Sequence, residues 1–208
     1  GAGADALLLI SPYYNKPEQA GLAEHYRAVA DAVDLPQIVY NVPSRTGQNI
    51  EPETVAELAA HENIRAYKAA SGDVAQISEV IERTRTEDLA VLSGDDALTL
   101  SVCSLGGQGV ISVAGNVEPE RTVELVDAAL QGDLDRARER HFELSPLFRH
   151  LFVETNPIPV KAAMAIRGHA PETLRSPLTE LSEAPREELE RILADLSEEP
   201  DAEPTEAA

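Results

Sequence analysis

Short, continuous apolar runs alternate along this chain with longer stretches whose apolar residues recur every three or four positions. The first run, Ala6-Leu7-Leu8-Leu9-Ile10-Ser11, is too short for a helix and has no polar face. It predicts a strand covered on both sides, as in a parallel sheet. Runs of the same kind occupy residues 37–41, 64–68, 90–93 and 109–113. Between them the period changes to that of a helix. Residues 18–33 place Leu22, Tyr26, Val29 and Val33 on one face. Pro52 suits the first turn of a helix reaching about residue 61. Ser71 or Asp73 can cap a helix carrying Val74, Ile77, Val80 and Ile81. Another helix runs from Gly94-Asp95-Asp96 through Leu98, Val102 and Leu105, with Asp95 as its cap.

Strand, loop and helix repeated in this way predict a parallel α/β fold. A doubly wound sheet and a (β/α)8 barrel both satisfy the pattern. Neither a Walker loop nor G-x-G-x-x-G is present, which weakens the nucleotide-binding doubly wound option. The conspicuous polar residues follow strands: Tyr13 and Tyr14, residues 40–45, Lys68, residues 93–96 and residues 112–116. A barrel builds its active site on that face. The expectation is therefore α/β, a partial (β/α)8 TIM barrel comprising its last five strands over residues 1–117. A barrel takes about 250 residues and eight strands, and this chain opens Gly-Ala-Gly-Ala-Asp without Met. Three strands are thus expected upstream, with open sheet edges and apolar barrel-interior positions exposed at Leu7, Leu9 and Ile111. Residues 118–196 read as helices only, near 120–130, 134–148, 160–167 and 186–196. Residues 197–208 form an acidic tail expected to be disordered.

Charge narrows the partners. The 208 residues hold 37 Asp and Glu against 17 Lys and Arg, a formal net charge of −20. This disfavours nucleic acid and anionic membranes. It points to a surface made for high salt, where self-repulsion is screened. The single cysteine, Cys103, excludes an internal disulfide and fits a reducing cytoplasm. No stretch approaches the length of a membrane span. The five His residues show no metal-ligand spacing.

The lysines carry the most chemistry. The chain uses Arg almost everywhere and keeps Lys only at positions 16, 68 and 161. Lys68 closes an apolar run, where a side chain can point into a site. A desolvated amine there loses proton affinity and becomes a nucleophile toward carbonyls. A strand-end lysine in a surface ion pair is the alternative that the residues alone leave open.

Six segments share an order and spacing with a known family: Pro12-Tyr13-Tyr14-Asn15-Lys16-Pro17; Tyr40-Asn41-Val42-Pro43-Ser44-Arg45-Thr46-Gly47; Lys68 with Ser71-Gly72-Asp73; Ser93-Gly94-Asp95-Asp96; Gly109-Val110-Ile111-Ser112-Val113; and Asn156-Pro157-Ile158-Pro159-Val160-Lys161. Together, over about residues 3–180, they resemble the dihydrodipicolinate synthase and N-acetylneuraminate lyase superfamily of pyruvate-dependent, Schiff-base barrel enzymes.

The resemblance implies that Lys68 forms an imine with pyruvate, with Tyr40 as proton shuttle. It implies that Tyr14 is donated across a dimer interface, that Tyr13 packs there, and that Gly94 and Ile111 line the pyruvate pocket through backbone atoms. Arg45 resembles the synthase branch, where its guanidinium grips the carboxylate of aspartate 4-semialdehyde. The product would be 4-hydroxy-tetrahydrodipicolinate, on the route to lysine and diaminopimelate. No metal or cofactor would be needed, and the assembly would be a cytoplasmic homo-oligomer, a dimer of dimers. Two departures stand out: Ala69 occupies the place where the family usually has Glu, and the family's Thr-Thr pair lies outside this sequence. A 2-keto-3-deoxygluconate-type aldolase would share Lys68 and Tyr40 without needing Arg45. A non-catalytic fragment or assembly partner is the rival of another class.

Overall fold

The structure, a computed structural model, describes residues 3–197. Five parallel strands lie side by side in chain order: β1 (Leu7–Ile10), β2 (Gln37–Asn41), β3 (Ile64–Ala69), β4 (Ala90–Ser93) and β5 (Gly109–Val110). Among the described residues β1 and β5 each have one neighbour, so the sheet is open. The helices are α1 (Gln19–Ala32), α2 (Pro43–Thr46), α3 (Pro52–Ala59), α4 (Val74–Thr84) and α5 (Thr99–Ser104), then α6 (Pro119–Gln131), α7 (Leu134–His150), α8 (Ile158–Ile166) and α9 (Glu183–Asp195). None is long and apolar enough to cross a membrane. The acidic tail expected to be disordered lies, from residue 198 onward, outside the described residues.

One face of the sheet is covered. Val39, Tyr67, Ala69 and Val91 point toward α1, α3, α4 and α5 and join Leu22, Tyr26, Val55, Leu58, Ile77 and Val80 in a hydrophobic cluster. The other face carries Leu8, Ile10, Ile38, Tyr40, Lys68 and Leu92, which alternate with the covered set. This corrects the expectation for β1. Leu9 packs against the helix-side cluster, while Leu8 and Ile10 are 45% and 41% exposed. Helix burial selects the odd positions, and the unfilled face receives the even ones.

Two local features differ from the sequence reading. Residues 42–47 form a single helical turn, α2, rather than a loop. Pro43 opens it with a fixed φ, and Gly47 ends it in the left-handed region at φ 70°. β5 stops after Val110 instead of reaching Val113. Ile111 still donates to Ser93 O at 2.9 Å, but the N–H groups of Val113 and Ala114 turn to the Asp96 carboxylate. As expected, Asp73 caps α4, accepting from the Gln76 N–H at 3.1 Å.

α5 through α9 enclose a second core, from Cys103 to Leu196, with Leu125, Leu144, Leu147, Leu151 and Leu189 fully buried. Glu118 joins its helices: it accepts from Arg121 at 2.8 Å and also from Arg167. This core sets the loop between α7 and α8 over the C-terminal ends of the strands.

Candidate active site

Tyr40 and Lys68 are register partners on β2 and β3, at the end where every strand finishes. Their adjacency depends on an irregularity. Gln37 pairs with Ile64, but Ile38 pairs with Ala66, so Arg65 faces no residue of β2. The shift turns Tyr40 and Lys68 onto the same face. The Lys68 Nζ lies 4.2 Å from the centre of the Tyr40 ring. Ala69 falls on the opposite face, fully buried among the helices, as alternation from Lys68 requires.

These side chains open into a cavity of about 290 Å³. β2 and α2 contribute Tyr40, Ser44 and Arg45; the segment after β4 contributes Gly94 and Asp95; Phe152 and Asn156 close it from the α7–α8 loop. Burial lowers the proton affinity of Lys68, and the carboxylate of Asp96 partly restores it. Burial also raises the Tyr40 phenol, which the Arg45 charge opposes. Among the described residues neither Lys68 nor Arg45 is paired with a carboxylate. Arg45 makes a long contact, 3.4 Å, from Nη2 to the carbonyl of Asn156.

Behind the site, on the helix side, a polar network ties the strand ends. Asn41 Nδ2 donates to Tyr67 Oη at 2.9 Å and to Asn49 Oδ1 at 2.8 Å, and its Oδ1 accepts from the Ile50 N–H at 3.1 Å. Asn49 Nδ2 then donates to Gln76 Oε1 at 2.8 Å. Asn41 follows Tyr40 and Tyr67 precedes Lys68, so this bond crosses the same two strands as the Tyr40–Lys68 contact.

Of the residues singled out in the sequence, Lys68, Tyr40, Arg45 and Gly94 line one cavity. Ile111 does not line it; its N–H extends the β4–β5 ladder. Tyr14 is 93% exposed and Tyr13 66%, and neither lines the Lys68 cavity. Asp95 is the cap expected of it, accepting from the Ala97 N–H at 3.0 Å. The sequence placed Ser44, Val113 and Asp96, which is only 2% exposed, at the active-site end of the strands without giving any of them a role, and it gave none to Phe152 or Asn156. Asn156 lay inside a quoted motif, which was the available signal; Phe152 had none.

The profile of the Dihydrodipicolinate synthetase family matches residues 1–196. The chain is 70% identical over 198 residues to the 4-hydroxy-tetrahydrodipicolinate synthase of Haloarcula marismortui, covering 95% of this chain and 65% of that protein. It is 64% identical over 195 residues to the protein of the same name from Natronomonas pharaonis, covering 94% of this chain and 66% of that one. The chain thus spans just under two thirds of the length of these relatives. Among solved structures, dihydrodipicolinate synthase from Aquifex aeolicus superposes with a TM-score of 0.90 at 49% identity, over 94% of this chain and 67% of that one. The Thermotoga maritima enzyme gives 0.91 at 44% identity, over the same shares of the two chains.

Proposed function

The chain belongs to the dihydrodipicolinate synthetase family, and from that premise we propose that it carries the Schiff-base site of a 4-hydroxy-tetrahydrodipicolinate synthase. The observation that carries this reading is the half-buried Lys68 amine, unpaired among the described residues, 4.2 Å from the Tyr40 ring in a cavity shared with Arg45. The free amine adds to the ketone carbon of pyruvate and expels water, leaving an imine. Loss of a proton from the pyruvate methyl gives an enamine, whose carbon attacks the aldehyde of L-aspartate 4-semialdehyde. The substrate's amino group then closes onto the imine carbon and releases Lys68. The imine serves as electron sink, so this sequence of steps requires no metal. Tyr40 is the group placed to relay the protons.

Arg45 is the feature that favours the synthase over a sugar-acid aldolase. Its guanidinium is free of carboxylate partners among the described residues and lines the cavity, as recognition of a substrate carboxylate requires. The exposed Tyr14 is available to a neighbouring subunit, in line with a homo-oligomer in which it reaches the partner's relay.

The test is covalent trapping in the whole protein as it occurs in the cell. Pyruvate with borohydride should leave a reduced adduct on Lys68, located by peptide mass spectrometry. An adduct on Lys16 or Lys161 instead would overturn the assignment. Turnover with aspartate semialdehyde, set against sugar-acid aldehydes, separates the synthase from an aldolase.

A further inference from the structure

Asp96 is a buried carboxylate that the proposed chemistry does not use. It follows the Gly94-Asp95 pair that lines the cavity, and its oxygens are saturated from one neighbouring segment. Oδ2 accepts from the N–H groups of Val113 and Ala114, both at 3.0 Å, and Oδ1 accepts from the Ser112 hydroxyl. The Ser112 Oγ in turn accepts from the Gly115 N–H at 2.7 Å. Val113, the middle of this segment, is itself a wall of the Lys68 cavity.

A carboxylate so deeply placed costs desolvation unless donors hold it. Burial pushes Asp96 toward the neutral acid, while the three donors favour the charged form. The same arrangement that ends β5 early therefore offsets part of the cost of burying the Asp96 carboxylate.

We propose that Asp96 is a positioning residue for Lys68: it pins the segment after β5 to the end of β4, setting the Val113 wall, and supplies the buried negative charge of the site. The inference rests on reading Lys68 as the reacting amine. The other charged and titratable groups facing that amine are Tyr40 from β2, Arg45 from α2 and Asp95 beside Asp96. Among the described residues, the segment after β5 adds Val113 to the cavity and the α7–α8 loop adds Phe152 and Asn156, none of which titrates. Asp95 is committed to capping. Among the described residues, Asp96 is the group whose charge opposes the effect of burial on Lys68.

Two roles are combined here, and variants separate them. Asp96→Asn preserves the shape: its amide oxygen can accept from Val113 and Ala114, and its amide N–H can donate to the spare lone pair of Ser112. It removes the charge and reverses the bond to Ser112, whose hydroxyl proton loses its acceptor; Ser112→Ala controls for that loss. Ser112→Ala keeps the charge and loosens the anchor.

The experiment is trace acetylation of the whole protein with acetic anhydride across a pH series, with acetyl-Lys68 quantified by mass spectrometry. It reads the amine whether or not pyruvate is a substrate, so it is independent of the borohydride trapping that tests the function. In Asp96→Asn the labelling midpoint should fall, the direction expected for loss of an opposite charge. In Ser112→Ala it should stay in place. Asp96→Glu covers failure of Asp96→Asn to fold: it keeps a charge and displaces the anchor, so pyruvate adduct formation should slow while the midpoint holds. An unmoved midpoint in Asp96→Asn, an equal fall in Ser112→Ala, or a fall in Asp96→Glu would each overturn the proposal.

Discussion

A side chain at Gly94 would crowd Lys68: a Cβ there would stand 3.1 Å from Lys68 Cε. It would also meet Ala70 Cβ at 2.8 Å and Ala69 O at 3.0 Å, while the Gly94 N–H donates to that same Ala69 O at 2.7 Å. The backbone after β4 is pressed onto the end of β3, and the lysine stem runs through the gap. Gly94→Ala should therefore cost about 1–3 kcal/mol by overpacking. It should also displace Lys68, so pyruvate trapping should fall further than stability alone explains. Urea titration and trapping yield on the same preparation check both.

On the proposed reading, Arg45→Ala removes a charge-assisted hydrogen bond to the second substrate, worth about 1.5–3 kcal/mol. The expected result is a raised KM for aspartate semialdehyde with nearly unchanged pyruvate trapping. Equal loss in both steps would mean that Arg45 serves only the loop, through its contact with Asn156.

Tyr67 is fully buried, and burial pushes its phenol up to about 12 from 10.0, opposed by the hydrogen bond from Asn41. Between those values the native state holds a proton that the unfolded chain has lost. Stability is therefore complete below pH 10 and declines as pH rises toward 12, by on the order of 3 kcal/mol. Tyr67→Phe should lower stability at pH 8 by about 1 kcal/mol and flatten the alkaline decline. Urea midpoints measured from pH 8 to 11.5 decide it; an equally steep decline in the variant would count against Tyr67 as its source.

With 37 acidic side chains against 17 basic ones, the folded state repels itself. Added salt screens that repulsion, so the Tm should rise with KCl well above physiological concentration. A Tm falling steadily from low to molar KCl would contradict this.

Leu8 and Ile10 stand exposed on the uncovered face of an edge strand. Expressed as these 208 residues alone, the chain should bind hydrophobic dye or self-associate and should not turn over pyruvate plus aspartate semialdehyde. Leu8→Lys with Ile10→Lys should reduce dye binding. A monodisperse and active preparation would refute the expectation.

The sequence by itself determined the parallel α/β order, because continuous apolar runs and three-to-four spacing are local signals that burial imposes on each element separately. It also singled out Lys68, through the scarcity of lysine and its place at a strand end, and it put Ala69 on the far face by alternation. The Asp73 and Asp95 caps were legible for the same reason: a cap is a contact across three residues or fewer. What only the tertiary structure decided involves distance along the chain. Tyr40 stands beside Lys68 because the register shifts at Arg65, and a one-residue slip inverts every side chain beyond it. The face of β1 that is exposed depends on where the helices pack, so Leu8 and Ile10, rather than Leu7 and Leu9, are bare. Phe152 and Asn156 reach the site from a helical region far along the chain. Asp95 and Asp96 are identical neighbours in the sequence, yet only Asp96 is buried, because three donors of the segment after β5 converge on it. No local pattern encodes that convergence; it exists only once β4 and β5 lie side by side.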